Sequence, residues 1–100
     1  VNKYLVGSVV TVAVVFVSIG SNDPVDPSTV TALIKHPTGA VDTYVYGVDE
    51  ELVRDSVGRY HVDVTIPINE SSIWYYRFEG TGTNAAPGEA SFEALPSNFA

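Results

Sequence analysis

A chain of 100 residues that is 45% hydrophobic and lacks cysteine and methionine suits one domain around one core, which at this size buries roughly two-thirds of the unfolded surface. It has no disulfide framework, no thiolate nucleophile and no cysteine zinc site, and its seventeen valines, six tyrosines, four phenylalanines and one tryptophan favour pleated surfaces over a helical bundle. A formal charge of −7, from twelve carboxylates against five Lys and Arg, disfavours nucleic acid and anionic membrane as partners.

Residues 4–19 are almost uninterruptedly apolar after Lys3. Sixteen residues fall short of the roughly twenty that span a bilayer as a helix, and no Ala-x-Ala-like cleavage site follows, so neither a membrane span nor an export signal is expected. Valine at this density predicts a strand instead, because β-branched side chains lose rotamer freedom in helices and pack well in sheets. Val10, Val12, Val14 and Phe16 share one face of it. The opposite face carries Thr11, Ala13, Val15 and Val17, more apolar than a solvated sheet face should be, and is the first candidate contact surface.

Residues 20–28, Gly-Ser-Asn-Asp-Pro-Val-Asp-Pro-Ser, form a loop of turn residues. Residues 29–35 and 41–46 alternate on either side of His36-Pro37-Thr38-Gly39, which predicts a hairpin. A short strand at 52–54, a turn at 55–58 and a longer strand at 59–66 follow. In the longer one Tyr60, Val62, Val64 and Ile66 alternate with Arg59, His61, Asp63 and Thr65, the cleanest period of two in the chain. Residues 73–79 place Trp74, Tyr76 and Phe78 on one face and Ile73, Tyr75, Arg77 and Glu79 on the other. A loop over 80–88 leads to a last strand at 89–95, with Ala90, Phe92 and Ala94 on one face and Pro96 ending it. Seven short strands, no internal repeat and no helix longer than a turn are expected.

Seven strands joined by Gly, Pro and Asx turns in this length predict an all-β, immunoglobulin-like antiparallel sandwich. Tyr60, with Gly58 before it and Val62 after it, resembles the tyrosine that folds back over the preceding turn in such domains. Its hydroxyl is expected to bond backbone in or near residues 55–58, and Val62 would take the place of the second cysteine. Asp55 stands one position too far upstream for the usual pattern, and Trp74 follows Tyr60, so an antibody-type domain is excluded. Gly58, Tyr60, Trp74 and Phe78 are the structural positions of this reading.

No catalytic constellation is found. His61 and Asp63 share an outer strand face without a nucleophile, and His36 stands in a His-Pro turn. The carboxylates at 49–51 and 55, and the pair Asp23 and Asp26, could bind a hard cation but lack the spacing of a calcium loop, and turn chemistry explains them. Gly80-x-Gly82 opens no helix and makes no phosphate cradle. Asn69-Glu70-Ser71 matches a glycosylation acceptor, a triplet short enough to arise by chance. No catalytic residue, metal site or cofactor is therefore expected.

Binding has more behind it. Tyr44, Tyr46, Trp74, Tyr75 and Tyr76 are more large aromatics than one small core should bury, and exposed Tyr and Trp mark contact sites. Tyr44, Tyr46 and Tyr75 are the second candidate surface.

The order Asp-Pro-x-x-Val at residues 26–30, Pro-x-Gly at 37–39, Arg-Asp-x-x-Gly-x-Tyr at 54–60 and Trp-Tyr-Tyr-Arg-Phe-Glu-Gly-Thr-Gly at 74–82 resembles a group of small immunoglobulin-like proteins of tailed bacteriophage virions. The likeness covers residues 7 to about 99 and departs at the apolar outer positions of the first strand. It implies a non-enzymatic virion protein, assembled in the host cytoplasm, that decorates or cements the capsid by contacting the major capsid protein, other virion proteins or its own copy. Nothing in it implies nucleic acid or membrane as a partner. A head–tail, neck or tail accessory protein and a secreted carbohydrate-binding module stay open as alternatives.

Overall fold

The computed structural model describes residues 2–18, 20–21, 23–81 and 88–96. They form eight strands and no helix: β1 (Asn2–Leu5), β2 (Val9–Val15), β3 (Thr29–Lys35), β4 (Val41–Val45), β5 (Leu52–Ser56), β6 (Arg59–Thr65), β7 (Ser72–Thr81) and β8 (Gly88–Leu95). The strands make a five-stranded sheet, β1-β8-β7-β3-β4, and a three-stranded sheet, β2-β6-β5. The order matches the immunoglobulin arrangement, with β2, β6 and β5 as one sheet and β3, β7 and β8 as the centre of the other.

Alternation decides which residues enter the space between the sheets. Val10, Val12 and Phe16 from the β2 segment, Val30, Ala32 and Ile34 from β3, Tyr60, Val62 and Val64 from β6, Trp74 and Phe78 from β7, and Phe92 and Ala94 from β8 are all buried. Trp74 lies parallel to Phe92 with ring centroids 5.8 Å apart, and Tyr4 meets Phe92 edge-on at 5.8 Å. The expected inward faces of the strands at 59–66 and 73–79 are those observed, although Tyr76 is half-buried. On β8, Phe92 and Ala94 point inward while Ala90 is exposed.

The apolar run at 4–19 is not one strand. It breaks at Gly7, whose φ is +87°, into β1, which pairs parallel with β8, and β2, which pairs antiparallel with β6 in the other sheet. The chain therefore switches sheets within three residues, which makes eight strands of the expected seven and adds one parallel pair. Gly7 allows it because a positive φ costs glycine no clash. At the turn, the Gly7 N–H donates to Ile66 O (2.8 Å) and the Ile66 N–H donates to Ser8 O (3.0 Å), so β2 enters the sheet through a bulge.

The expected hairpin at 29–46 is present as β3 and β4, closed by the His36 N–H donating to Ala40 O at 2.8 Å. Tyr60 is buried, but it opens the central strand of the three-stranded sheet. Val62 accordingly does not occupy the place of an immunoglobulin second cysteine, which belongs to the strand corresponding to β7. Most of the expected 80–88 loop, residues 82–87, lies outside the described residues, while Gly80 and Thr81 extend β7 and Gly88 begins β8.

Candidate functional site

Thr11, Ala13 and Val15 on β2, and Val17 just beyond it, all point outward and are exposed, Val15 at 44% and Val17 at 38%. Val9, on the same face, is 63% exposed. The apolar stripe is one strand wide. Beside it, β6 presents Thr65, Asp63, His61 and Arg59 in register, and Asp63 accepts a hydrogen bond from the Thr11 hydroxyl at 2.6 Å. His61 lies 2.8 Å from Asp55, so the imidazole and the Asp63 carboxylate each have another partner.

β2 is also an edge. It pairs with β6 alone, and the Ile66 N–H to Ser8 O bond at one end and the Phe16 N–H to Gly58 O bond (2.8 Å) at the other show that its even-numbered residues face β6. Since main-chain groups alternate sides along a strand, the N–H and C=O of Val9, Thr11, Ala13 and Val15 face away from the sheet. Among the described residues nothing pairs with them.

The second candidate surface does not exist as one face. Tyr44 pairs with Ala32 and packs half-buried against the core, Tyr46 lies on the same side with its ring 5.4 Å from that of Tyr60, and Tyr75 points the other way, out of the five-stranded sheet. Parity separates them. Tyr46 (45% exposed) rims a cleft of about 370 Å³ that also takes in Asp26, Thr29, Arg54 and Tyr60. Tyr75 (49% exposed) borders a shallower depression of about 210 Å³ with Leu33, Val41 and Arg77. The Arg77 guanidinium there donates to Glu89 at 2.8 Å, so its charge is already met.

Two polar clusters that the spacing of residues did not reveal close the ends of the sandwich. At the first, Asp26 accepts hydrogen bonds from Arg54 Nε (3.1 Å) and an Arg54 terminal nitrogen (2.9 Å), from the Gly58 N–H (2.9 Å) and from the Tyr60 hydroxyl (2.9 Å). The Tyr60 hydroxyl thus bonds a carboxylate from the preceding loop and not the backbone of residues 55–58, because Gly58 turns its N–H to that same carboxylate. The Arg54 guanidinium above all, then the Gly58 amide and, against the loss of solvation, the Tyr60 hydroxyl hold the Asp26 carboxyl well below the usual carboxylate range. Burial first, then the adjacent carboxylate, pushes the Tyr60 hydroxyl up.

Gly58 is required on two counts. Its φ is +73°, and a Cβ there would stand 2.6 Å from Phe16 O and 2.9 Å from the Val25 backbone.

At the second cluster, His36 Nε2 lies 2.6 Å from Asp42 and Nδ1 3.1 Å from Glu70, while the ring tilts over Trp74 with centroids 4.3 Å apart. The Trp74 indole N–H donates to Glu70 O at 3.0 Å. Burial pulls the imidazole pKa down, but Asp42 and Glu70 together outweigh it and the net shift is upward. Asp49 closes its turn by accepting from the Val45 N–H at 2.8 Å. Among the described residues no group of three or more His, Asp or Glu is placed to hold a metal ion, and no helix is long and apolar enough to cross a membrane. No protein-family model matches the chain, and no curated protein sequence is similar to it.

Proposed function

We propose that this chain is a non-enzymatic structural protein of a tailed-bacteriophage virion, a capsid decoration or cement protein that works by contact with the major capsid protein. The observation that carries the reading is the outward side of β2, where Val9, Ala13 and Val15 are exposed on a strand whose outer main-chain edge has no partner among the described residues. A free strand edge exposes hydrogen-bonding groups and an apolar stripe together, the combination by which neighbouring subunits add to a sheet. The resemblance of its turns and aromatics, Asp26 to Val30 and Trp74 to Gly82 among them, to those of small phage virion proteins supports a virion role. Asp26, His36 and His61 are each held by a structural partner, which favours contact over chemistry.

Cosedimentation with purified phage capsids tests this reading, together with the Val15→Lys variant. Wild-type protein should pellet with the particles. Val15→Lys should unfold at a midpoint within about 0.5 kcal/mol of wild type, because Val15 is an exposed surface position, and should lose most of its particle binding, because it sets an unpaired charge in a dry contact. Failure of the wild-type chain to pellet with particles, or full binding by Val15→Lys, rejects the reading.

A further inference from the structure

Residues 4–15 are one valine-rich run that the fold bends at a single point. Leu5, Val6, Gly7 and Ser8 make a β-turn, closed by the Ser8 N–H donating to Leu5 O at 3.2 Å, with Gly7 in its third position at a φ of +87°. A positive φ in that position is what a type II turn requires, and it is a conformation that L side chains avoid. Alternation nevertheless runs through the turn without a slip. Tyr4, Val6, Val10 and Val12 face the core on the two sides of it, while Leu5, Val9, Thr11 and Ala13 are exposed. Local preference therefore favours one long strand, and tertiary contacts alone keep the bend.

β1 is held in place by few of those contacts. It runs four residues and pairs only with β8, in a parallel register from Asn2 opposite Phe92 to Leu5 opposite Leu95, and Asn2, Lys3 and Leu5 are exposed. Its anchors are Tyr4, half-buried with its ring edge-on to Phe92 at 5.8 Å, and the Val6 that follows it, buried with its N–H donating to Leu95 O at 3.0 Å. A short edge strand with one inward side chain belongs to the least stable part of a fold and opens before the rest. When it opens, Phe92 loses the ring packed on it and the edge of β8 is left unpaired, in a shape that fits a strand of this same sequence.

We propose that β1 is exchanged between two copies of the chain: with Gly7 extended, residues 4–15 run straight, and β1 of each copy pairs with β8 of the other. The occupant of each site is the strand already seen in it, in the same register, so the contacts of Tyr4 and Val6 are kept. What each hinge gives up is the Ser8 to Leu5 turn bond and the Gly7 to Ile66 bond. Exchange of an identical element through a short hinge is a low-cost route to a dimer. It links copies to one another without a particle, and so goes beyond the virion reading and stands or falls apart from it.

The chain contains no cysteine, so one can be placed on each strand without a competing thiol. Lys3 and Glu93 are register partners on the outer face of the five-stranded sheet. Lys3→Cys chains and Glu93→Cys chains, mixed at high concentration, incubated and then oxidised, should form a disulfide-linked pair with one chain of each kind, in clear excess over links within either kind, because only the mixed pair is adjacent in the exchanged register. A Cβ at Gly7 meets nothing within 4 Å, so Gly7→Ala acts on the turn conformation alone. By sedimentation equilibrium it should raise the dimer association constant at least about tenfold. A chain carrying both Lys3→Cys and Glu93→Cys, oxidised while dilute, locks β1 onto its own β8 and should stay monomeric until it is reduced.

Absence of the mixed disulfide, folded Gly7→Ala that associates no more than wild type, or a locked chain that dimerises as well as the reduced one would each overturn strand exchange. The mixing measurement keeps the wild-type hinge and decides even if Gly7→Ala does not fold. Chains that pellet with capsids but never exchange reject the exchange and leave the virion role standing. Exchange in a chain that never pellets with capsids supports the exchange and rejects only the virion role.

Discussion

β3 runs between two polar clusters of opposite chemistry. Before its start, Asp26 gathers a guanidinium, an amide and a hydroxyl onto one carboxylate. After its end, His36 sits between two carboxylates and over an indole. The first cluster is an anion held by donors and the second is an imidazole whose protonated form is favoured by the acceptors around it, so protonation acts on them in opposite senses. Each joins segments far apart in the chain: Asp26 ties the loop before β3 to β5 and β6, and His36 ties the turn after β3 to β4 and to the turn before β7. The sandwich is thus closed at both ends by ionisable groups, while among the described residues no charged side chain is buried between its sheets.

The comparison breaks most visibly at Gly58, because the Asp26 cluster depends on a backbone position and the His36 cluster does not. Gly58→Ala puts a Cβ into Phe16 O and forces an L side chain to a φ of +73°. Strain of this kind costs about 1 to 3 kcal/mol by itself, and the steric overlap adds to it. Loss of more than about 3 kcal/mol of stability in urea unfolding is expected. A variant that unfolds at the wild-type midpoint would show that the turn can relax and that the Gly58 amide is not essential to the cluster.

Much of the fold is legible in the residues, and the parts that are not share a cause. Alternation in 59–66 and 73–79 names the buried faces of β6 and β7 because each residue's side follows from its parity alone. The break at Gly7 is not visible in the same way. Residues on both sides of it are valine-rich, and the choice between β8 and β6 as partner is made by tertiary packing. Parity also separates Tyr44 from Tyr75, but grouping them by residue type conceals it. Asp26 and His36 read as loop residues because their partners, Tyr60 and Glu70, lie 34 positions away. The one local sign of the Asp26 cluster was the spacing of Gly58 and Tyr60, which marks a turn without revealing the carboxylate it turns toward. Of the contact surface, the outward β2 residues were readable from alternation, whereas the free edge required the strand order.

Tyr60→Phe is the next sharper cut, since it removes one donor from Asp26 and leaves the ring in the core. The ring remains against Phe16 and Tyr46, at centroid distances of 5.9 and 5.4 Å. Asp26 keeps three other donors and some access to water, so the expected cost is about 1.5 to 2 kcal/mol, the low end of the range for a hydrogen bond to a charged group. A midpoint shift near zero would mean that Arg54 and Gly58 hold the loop unaided. A loss well above this range would mean that the hydroxyl organises the other donors.

The smallest expected effect separates the two clusters by pH. Asp26 has a folded pKa below its ordinary value of 3.8, so its contribution is present above that value and is lost as pH falls through the folded pKa. His36 has a folded pKa above its ordinary 6.5, so its contribution is complete below 6.5 and is lost as pH rises through the folded value. Thermal midpoints measured across this range should therefore decline on both sides, in acid below about 3.8 and again above about 6.5. His36→Gln should remove the upper decline and leave the acid one, because the glutamine side chain carries no proton to lose while Asp26 and its donors are untouched. A wild-type midpoint that stays level from pH 6.5 to 8.5, or an upper decline that survives in His36→Gln, would place the titrating group elsewhere and leave the two ends of the sandwich without the opposition that their geometry gives them.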